Sequence, residues 1–192
     1  MKFFLIIILI VLTGCRAGKV PFQDSFEKTE RKTIKHIEKE ETFAEAITPI
    51  LDKGKNRLNN IKTACEKISG TEIKQGDIFS FNDTTGRRSI ENGYKDAPII
   101  LDGEKSYGIG GGVCQVSTTI YLAALNANLE IVEHHNHSER VAYAPDGKDA
   151  TVVYGVKDLK IKNTTDNSIY IYTWIENEKV FAKFIKKTID IQ

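Results

Sequence analysis

Three residue types in three short stretches carry the chemistry of this chain. The run GIGGGVCQVSTTIYLAAL, Gly108 to Leu125, delivers Cys114 from a glycine-rich turn into the first turn of a helix. Unpaired N–H groups and the helix dipole favour a thiolate over a thiol at that position. Downstream, EHHNHS (Glu133 to Ser138) concentrates three of the chain's four histidines, and KDATVVYG places Asp149 just after the turn at Asp146-Gly147. If the histidine run is a strand, alternation puts His135 and His137 on one face, roughly 7 Å apart. Either could serve as base for a cysteine nucleophile. Asp149 would hold the imidazole tautomer, completing a Cys-His-Asp arrangement. Backbone N–H groups of Gly111, Gly112 and Cys114 would converge on an oxyanion, and Gln115, Ser117 and Thr118 are expected to line the substrate site. Cys114, His135, His137 and Asp149 would also make a tetrahedral zinc set. That alternative is set aside because no short-spaced Cys pair accompanies them, so neither metal nor cofactor is expected.

These residues need a scaffold. Val113, Val116, Ile120, Ala123, Ala124 and Ala127 recur at helical period, predicting a helix that turns this stripe inward and leaves Cys114 off it, beside Ser117, Thr118 and Tyr121. Asn56 to Ser69 predicts a second amphipathic helix stopped by Gly70, with Cys65 on its apolar face as a buried thiol. Strands are expected within Ile73–Phe81, at Ala97–Leu101 and Lys105–Tyr107 around Asp102-Gly103, and at Leu129–His137, Asp149–Val156 and Leu159–Lys162. A closing meander is expected of Ile169–Ile175 and Val180–Ile185. Connections this short suit antiparallel pairing. The expected fold is therefore α+β, a largely antiparallel sheet packed with the cysteine-bearing helix in a single domain.

The chain has 192 residues, 41% of them hydrophobic, enough for one core plus an appendage. With 27 basic and 26 acidic residues, nothing electrostatic points to nucleic acid. At the N-terminus, Lys2 precedes an apolar run from Phe3 to Leu12, too short to span a bilayer and built like a secretory signal. Its end, Leu12-Thr13-Gly14-Cys15, resembles the lipobox of bacterial lipoproteins. That resemblance implies cleavage after residue 14 and a lipid on Cys15. The expected organisation is a signal peptide at 1–14, a lipid-anchored charged tether at 15–50 and a folded domain at 51–192, outside the cytoplasmic membrane. The run EKTERKTIKHIEKEE, with little to bury, motivates the tether.

From about Asn56 to Trp174 the chain resembles the VanW family. The resemblance stands on GDIFSFN (Gly76 to Asn82), GYKDAPII (Gly93 to Ile100), GGGVCQVSTTIY (Gly110 to Tyr121), EHHNHS, YAPDGKDATV (Tyr143 to Val152) and DLKIKN (Asp158 to Asn163), in order and spacing. His134 stands where the family usually has arginine. Gln75 stands where proline is common. The resemblance implies work on the cell envelope, with peptidoglycan stem peptides as partners, and an L,D-transpeptidase activity that forms 3-3 cross-links through a thioester on Cys114. A peptidase or amidase using the same thioester, and a non-catalytic binder of stem peptides or glycopeptides, are the alternatives.

Overall fold

The computed structural model describes residues 36–101 and 104–191. In chain order the elements are β1 (His36–Pro49), α1 (Lys55–Ile68), β2 (Thr71–Ile73), β3 (Ile78–Ser80), α2 (Phe81–Thr85), β4 (Asp96–Leu101), β5 (Glu104–Ile109), α3 (Val113–Asn126), β6 (Glu130–Glu133), β7 (Lys160–Lys162), β8 (Ile169–Glu176) and β9 (Lys179–Ile191). They form an α+β fold with three antiparallel sheets, ordered β1-β9-β8-β2, β3-β7-β6 and β4-β5. Among the described residues no helix is long and apolar enough to cross a membrane. The signal sequence and Cys15 lie outside the described residues.

Alternation builds the main sheet. In β8, Ile169, Ile171 and Thr173 point into the core while the tyrosines and Trp174 between them do not. Asn177 and Glu178 turn the chain into β9 with φ of 47° and 58°, the left-handed pair a tight hairpin needs. Val180, Ala182 and Phe184 then continue the buried face. Onto that face pack α1, through Ile61, Ala64, Cys65 and Ile68, and α3, through Val113, Val116, Ile120, Ala123 and Ala124, all at most 2% exposed. Gly70, at φ 90°, ends the first helix and donates its N–H to Ile171 O at 2.8 Å.

Three expectations are corrected. Residues 36–49 are not tether but a full strand of the main sheet, in register with β9. The charges that suggested solvation face opposite charges across the ladder: Glu40 pairs with Lys187 (3.1 Å), and Glu41 and Glu45 stand opposite Lys186 and Lys183. The inward residues are Ala44, Thr48 and, just beyond the strand, Ile50. Second, the strand expected to run to His137 stops at Glu133, after a register shift between Ile131 and Glu133. Third, Asp149–Val156 is not a ladder strand. Its regular pairing is a single bridge, Val153 with Lys157.

Candidate active site

Glycine is required in the turn before α3 because other backbone and side chains occupy the space a Cβ would take. At Gly111 a Cβ would sit 2.4 Å from Pro98 O and 2.8 Å from Ala97 O. Gly112 caps the helix in the left-handed region, φ 105°. Asn60 of α1 clamps the turn by donating to Gly111 O (3.0 Å) and Lys95 O (2.9 Å) and accepting from Lys95 N–H (2.7 Å). Gly110, Gly111, Val113 and Gln115 donate their N–H groups to backbone carbonyls. Among the described residues the N–H groups of Gly112 and Cys114 have no such acceptor, and they flank the start of the helix where an anion would settle.

Cys114 is the second residue of α3 and is partly accessible. Its sulfur accepts the Val152 N–H at 3.5 Å and lies 3.7 Å from the Thr151 hydroxyl. The His137 side chain is near enough to act on the sulfur electrostatically. Asp149, 5% exposed, completes the line. Its Oδ2 accepts His137 Nδ1 at 2.5 Å and the His137 backbone N–H at 2.8 Å. With Nδ1 so engaged, Nε2 is the ring atom left for the sulfur.

The electrostatics favour separated charges. Burial pushes the Cys114 thiol up, but the hydrogen bond and charge of His137, with the Val152 amide and Thr151, outweigh it and hold the thiol below its ordinary 9.0. Burial likewise opposes a charged His137, yet Cys114 and then Asp149 raise its pKa above the ordinary 6.5. Each shift favours the charged form of its own group.

The structure brings together Cys114, His137 and Asp149, and separates His135 from them. His135 turns its Nε2 to Glu133 Oε1 at 3.1 Å, because the strand ends before it and strict alternation no longer governs its direction. The four-residue zinc set is consequently not assembled. Among the described residues no group of three or more His, Cys, Asp and Glu is arranged to hold a metal ion. His134 stacks on Tyr121 (4.1 Å between centroids) and contacts Asp149 O at 2.7 Å, so it braces the aspartate's backbone.

Gln115, Ser117 and Thr118 are corrected from site lining to buried clamps. Gln115 donates to Thr48 Oγ1 (3.1 Å) and Pro49 O (2.8 Å) and accepts from Arg57 Nη2 (2.8 Å), tying α3 to β1 and α1. Ser117 donates to Ala150 O at 2.6 Å and Thr118 accepts Ala150 N–H at 2.9 Å. These bonds lay the segment around Asp149 along the helix. Their hydroxyls satisfy backbone that no strand ladder satisfies.

Three participants escaped the sequence reading. Tyr143 has its pKa raised by burial and by Cys114 nearby, with Thr118 acting against the rise. Glu133 gathers His135, Lys160 (2.9 Å) and the Asp158 N–H (2.9 Å), which hold its carboxyl down at about 2. Arg88, from the unremarkable GRRS, is partly buried with Cys114 among the charges acting on it. Two clefts can be compared with this centre, of which only the smaller is lined by its residues. One of about 230 Å³ is lined by His137, Asp149 and Arg140, and another of about 390 Å³ by Asn82, Tyr154 and Asp158.

A partly accessible thiol at a helix start, an imidazole that acts on it, a carboxylate behind the imidazole and two amides without a backbone acceptor among the described residues form the constellation of cysteine-centred acyl chemistry. Residues 56–185 match the family described as VanW like protein, and the chain belongs to that family. It is 36% identical over 153 residues to the uncharacterized protein YoaR of Bacillus subtilis, covering 80% of this chain and 50% of the relative. It is 30% identical over 133 residues to the vancomycin B-type resistance protein VanW of Enterococcus faecalis, covering 67% of this chain and 48% of that one. The chain thus spans about half the length of these relatives. No solved structure matches it.

Proposed function

We propose that this protein is a cell-envelope cysteine acyltransferase of the L,D-transpeptidase type, with peptidoglycan stem peptides as donor and acceptor. The observation that carries the reading is the grouping of Cys114, His137 and Asp149 at the start of α3, where the Gly112 and Cys114 amides have no backbone acceptor among the described residues. The thiolate attacks the carbonyl carbon of an amide bond in the donor stem. The oxyanion that forms is met by the N–H groups of Gly112 and Cys114. As the C–N bond breaks, the imidazolium of His137 passes its proton to the departing amine, leaving a thioester and a neutral imidazole. The amine of a second stem then attacks the thioester and gives its proton to His137. The C–S bond breaks and restores the starting pair. Asp149 fixes the ring so that Nε2 serves both transfers.

The envelope setting is supported by the Leu12-Thr13-Gly14-Cys15 motif, through which a lipid on Cys15 would tether the domain outside the cytoplasmic membrane. It is also supported by the name of the Enterococcus faecalis relative, since vancomycin resistance concerns the cell wall. The test is incubation with a stem tetrapeptide and an amine acceptor, read by intact-protein and product mass spectrometry. Expected are an acyl adduct on Cys114 and a cross-linked product, both absent in Cys114→Ala. Free acid alone as product would make the enzyme a peptidase. Turnover that survives Cys114→Ala would refute cysteine catalysis.

A further inference from the structure

Helix α1 turns one face onto the glycine turn that starts α3. Arg57, Asn60 and Ile61 share that face by helical spacing. Asn60 holds Gly111 O and the Lys95 backbone, and Ile61 Cγ1 comes within 3.1 Å of the place a Cβ on Gly112 would take. Arg57 lies along the same glycine, its Cγ 2.9 Å and its Nη1 3.0 Å from that place. So close an approach is open only because residue 112 has no side chain. At its other end, Arg57 Nη2 donates to Gln115 Oε1 at 2.8 Å. Gln115 is itself buried and held through its amide nitrogen by Thr48 Oγ1 and Pro49 O. The guanidinium thus bridges residues 112 and 115, on either side of Cys114 in the chain.

Its three nitrogens have different fates. Nε is buried without a partner, and Nη2 is committed to Gln115. Nη1 has no hydrogen-bond partner among the described residues and is not sealed from solvent, and both Arg57 and Gly112 are only half-buried. Arg88 is the opposite case, because its spare Nη2 is enclosed by protein. Among the described residues no carboxylate forms an ion pair with Arg57. The place is unfavourable for a cation. The first turn of a helix carries partial positive charge, so a guanidinium beside it is repelled unless negative charge stands between them. Attack by Cys114 on a carbonyl makes such a charge, on the carbonyl oxygen beside the Gly112 and Cys114 amides.

We propose that Arg57 is a further catalytic residue, the side-chain member of the oxyanion site. Its Nη1 donates a hydrogen bond to the oxygen as the C–S bond forms, alongside the N–H groups of Gly112 and Cys114. No proton changes hands with Arg57. The electron pair of the opening C=O bond moves onto oxygen, is held there by two amides and one guanidinium, and returns as the bond to the leaving group breaks. Gln115 is the positioning residue, since its bond to Nη2 fixes the planar fork. This role rests on the reading of Cys114 as nucleophile. It does not depend on which acyl group the sulfur carries.

The experiment sets two reactions of one sulfur against each other in the full chain. Alkylation by iodoacetamide displaces iodide and makes no oxyanion, whereas acylation by p-nitrophenyl acetate, a neutral ester without a carboxylate, makes one. Both are read at Cys114 by peptide mass spectrometry. Arg57→Gln should slow acylation by about 10²-fold, the scale of one oxyanion donor. Alkylation should keep its pH midpoint and stay within about twofold of the wild-type rate. Arg57→Lys, which keeps the charge but not the fork, should recover part of the loss, and if Arg57→Gln fails to fold it carries the comparison alone, with acylation slowed more than alkylation. Alkylation that falls in step with acylation, or a midpoint that climbs, would show Arg57 acting on the thiolate or on the fold and would overturn the proposal. Undiminished acylation in Arg57→Gln overturns it as well. If the ester behaves as expected but no stem tetrapeptide acylates the wild-type protein, the oxyanion role of Arg57 stands and the stem-peptide reading fails.

Discussion

Among the described residues two thiols lie within one core, on neighbouring helices of equal length, and they are chemically opposite. Cys65 sits in the body of α1, 2% exposed, and burial drives its pKa up to about 12 against the help of a Thr173 hydrogen bond. Cys114 opens α3, where burial pushes the same way but His137, the Val152 amide and Thr151 reverse it. Desolvation is common to both. What separates them is position along a helix, since a residue in the first turn faces free amides and can be reached by a second segment, whereas one in the body meets only packed side chains. A nucleophile here is made by company, and the comparison can be attacked by removing that company piece by piece.

The largest effect is expected from the sulfurs themselves. At pH 8 only about one in ten thousand Cys65 thiols would be ionised even if reagent reached them. Iodoacetamide should therefore label Cys114 and spare Cys65 in the folded protein, and Cys114→Ser should abolish acyl transfer and all labelling within residues 36–191. Cys65→Ala should cost stability, by about 1–2 kcal/mol for a small cavity, with turnover retained. Labelling of Cys65 at a comparable rate in the native state would break the contrast.

Removing the imidazole comes next. His137→Gln should lower acyl transfer by about 10²–10⁴-fold, and its pH profile should be more informative than its rate. In the wild-type protein the Cys114 pKa lies below 9.0 and that of His137 above 6.5. Alkylation therefore rises as pH climbs through the lowered thiol value. Acyl transfer falls again at higher pH, as His137 loses the proton that the leaving amine needs. In His137→Gln the rise in alkylation should move up toward the ordinary thiol value of 9.0. An unmoved profile would mean that the helix start alone ionises the sulfur. Asp149→Asn should lower acyl transfer comparably, by up to about 10⁴-fold, because an amide in place of the carboxylate can leave the ring in the wrong tautomer.

How much of this was legible in the residues follows from the range of the interactions involved. Both helices, the glycine turn and Cys114 at a helix start are written in local spacing, and the turn at Asp146-Gly147 correctly brings Asp149 back beside the histidines. The choice between His135 and His137 was not legible. It depends on where β6 stops and on a register shift at Ile131, and both are set by pairing with β7 some 30 residues away. β1 was misread because Glu40 and Glu41 look solvated until Lys187 and Lys186, almost 150 residues on, stand opposite them. Ser117 and Thr118 read as site lining since polar residues on a helix suggest water. Instead they meet the unpaired backbone of Ala150. Arg88 carries no motif. Only packing shows that one of its nitrogens has been left unused.

The smallest expected effect uses a control that the molecule itself supplies. The histidines of EHHNHS enter two imidazole–carboxylate couples, His137 with Asp149 and His135 with Glu133, but only the first lies near the Cys114 sulfur. If proximity to the thiol is what matters, His135→Ala should change the alkylation rate and pH profile of Cys114 by less than about twofold, although it sits two residues from the base. Its cost should fall on stability instead, within the roughly 0–1 kcal/mol of a partly exposed ion pair. That cost carries a pH signature. The Glu133 carboxyl is held down at about 2 from 4.5 in the folded chain, so its contribution is complete above the unfolded value and is lost as pH falls toward 2. Melting temperatures of wild-type and Glu133→Gln proteins should therefore differ most near neutral pH and converge as the medium is acidified. A marked loss of Cys114 reactivity in His135→Ala would show instead that the two couples act as one network, and the line drawn here between nucleophile and scaffold would have to include Glu133.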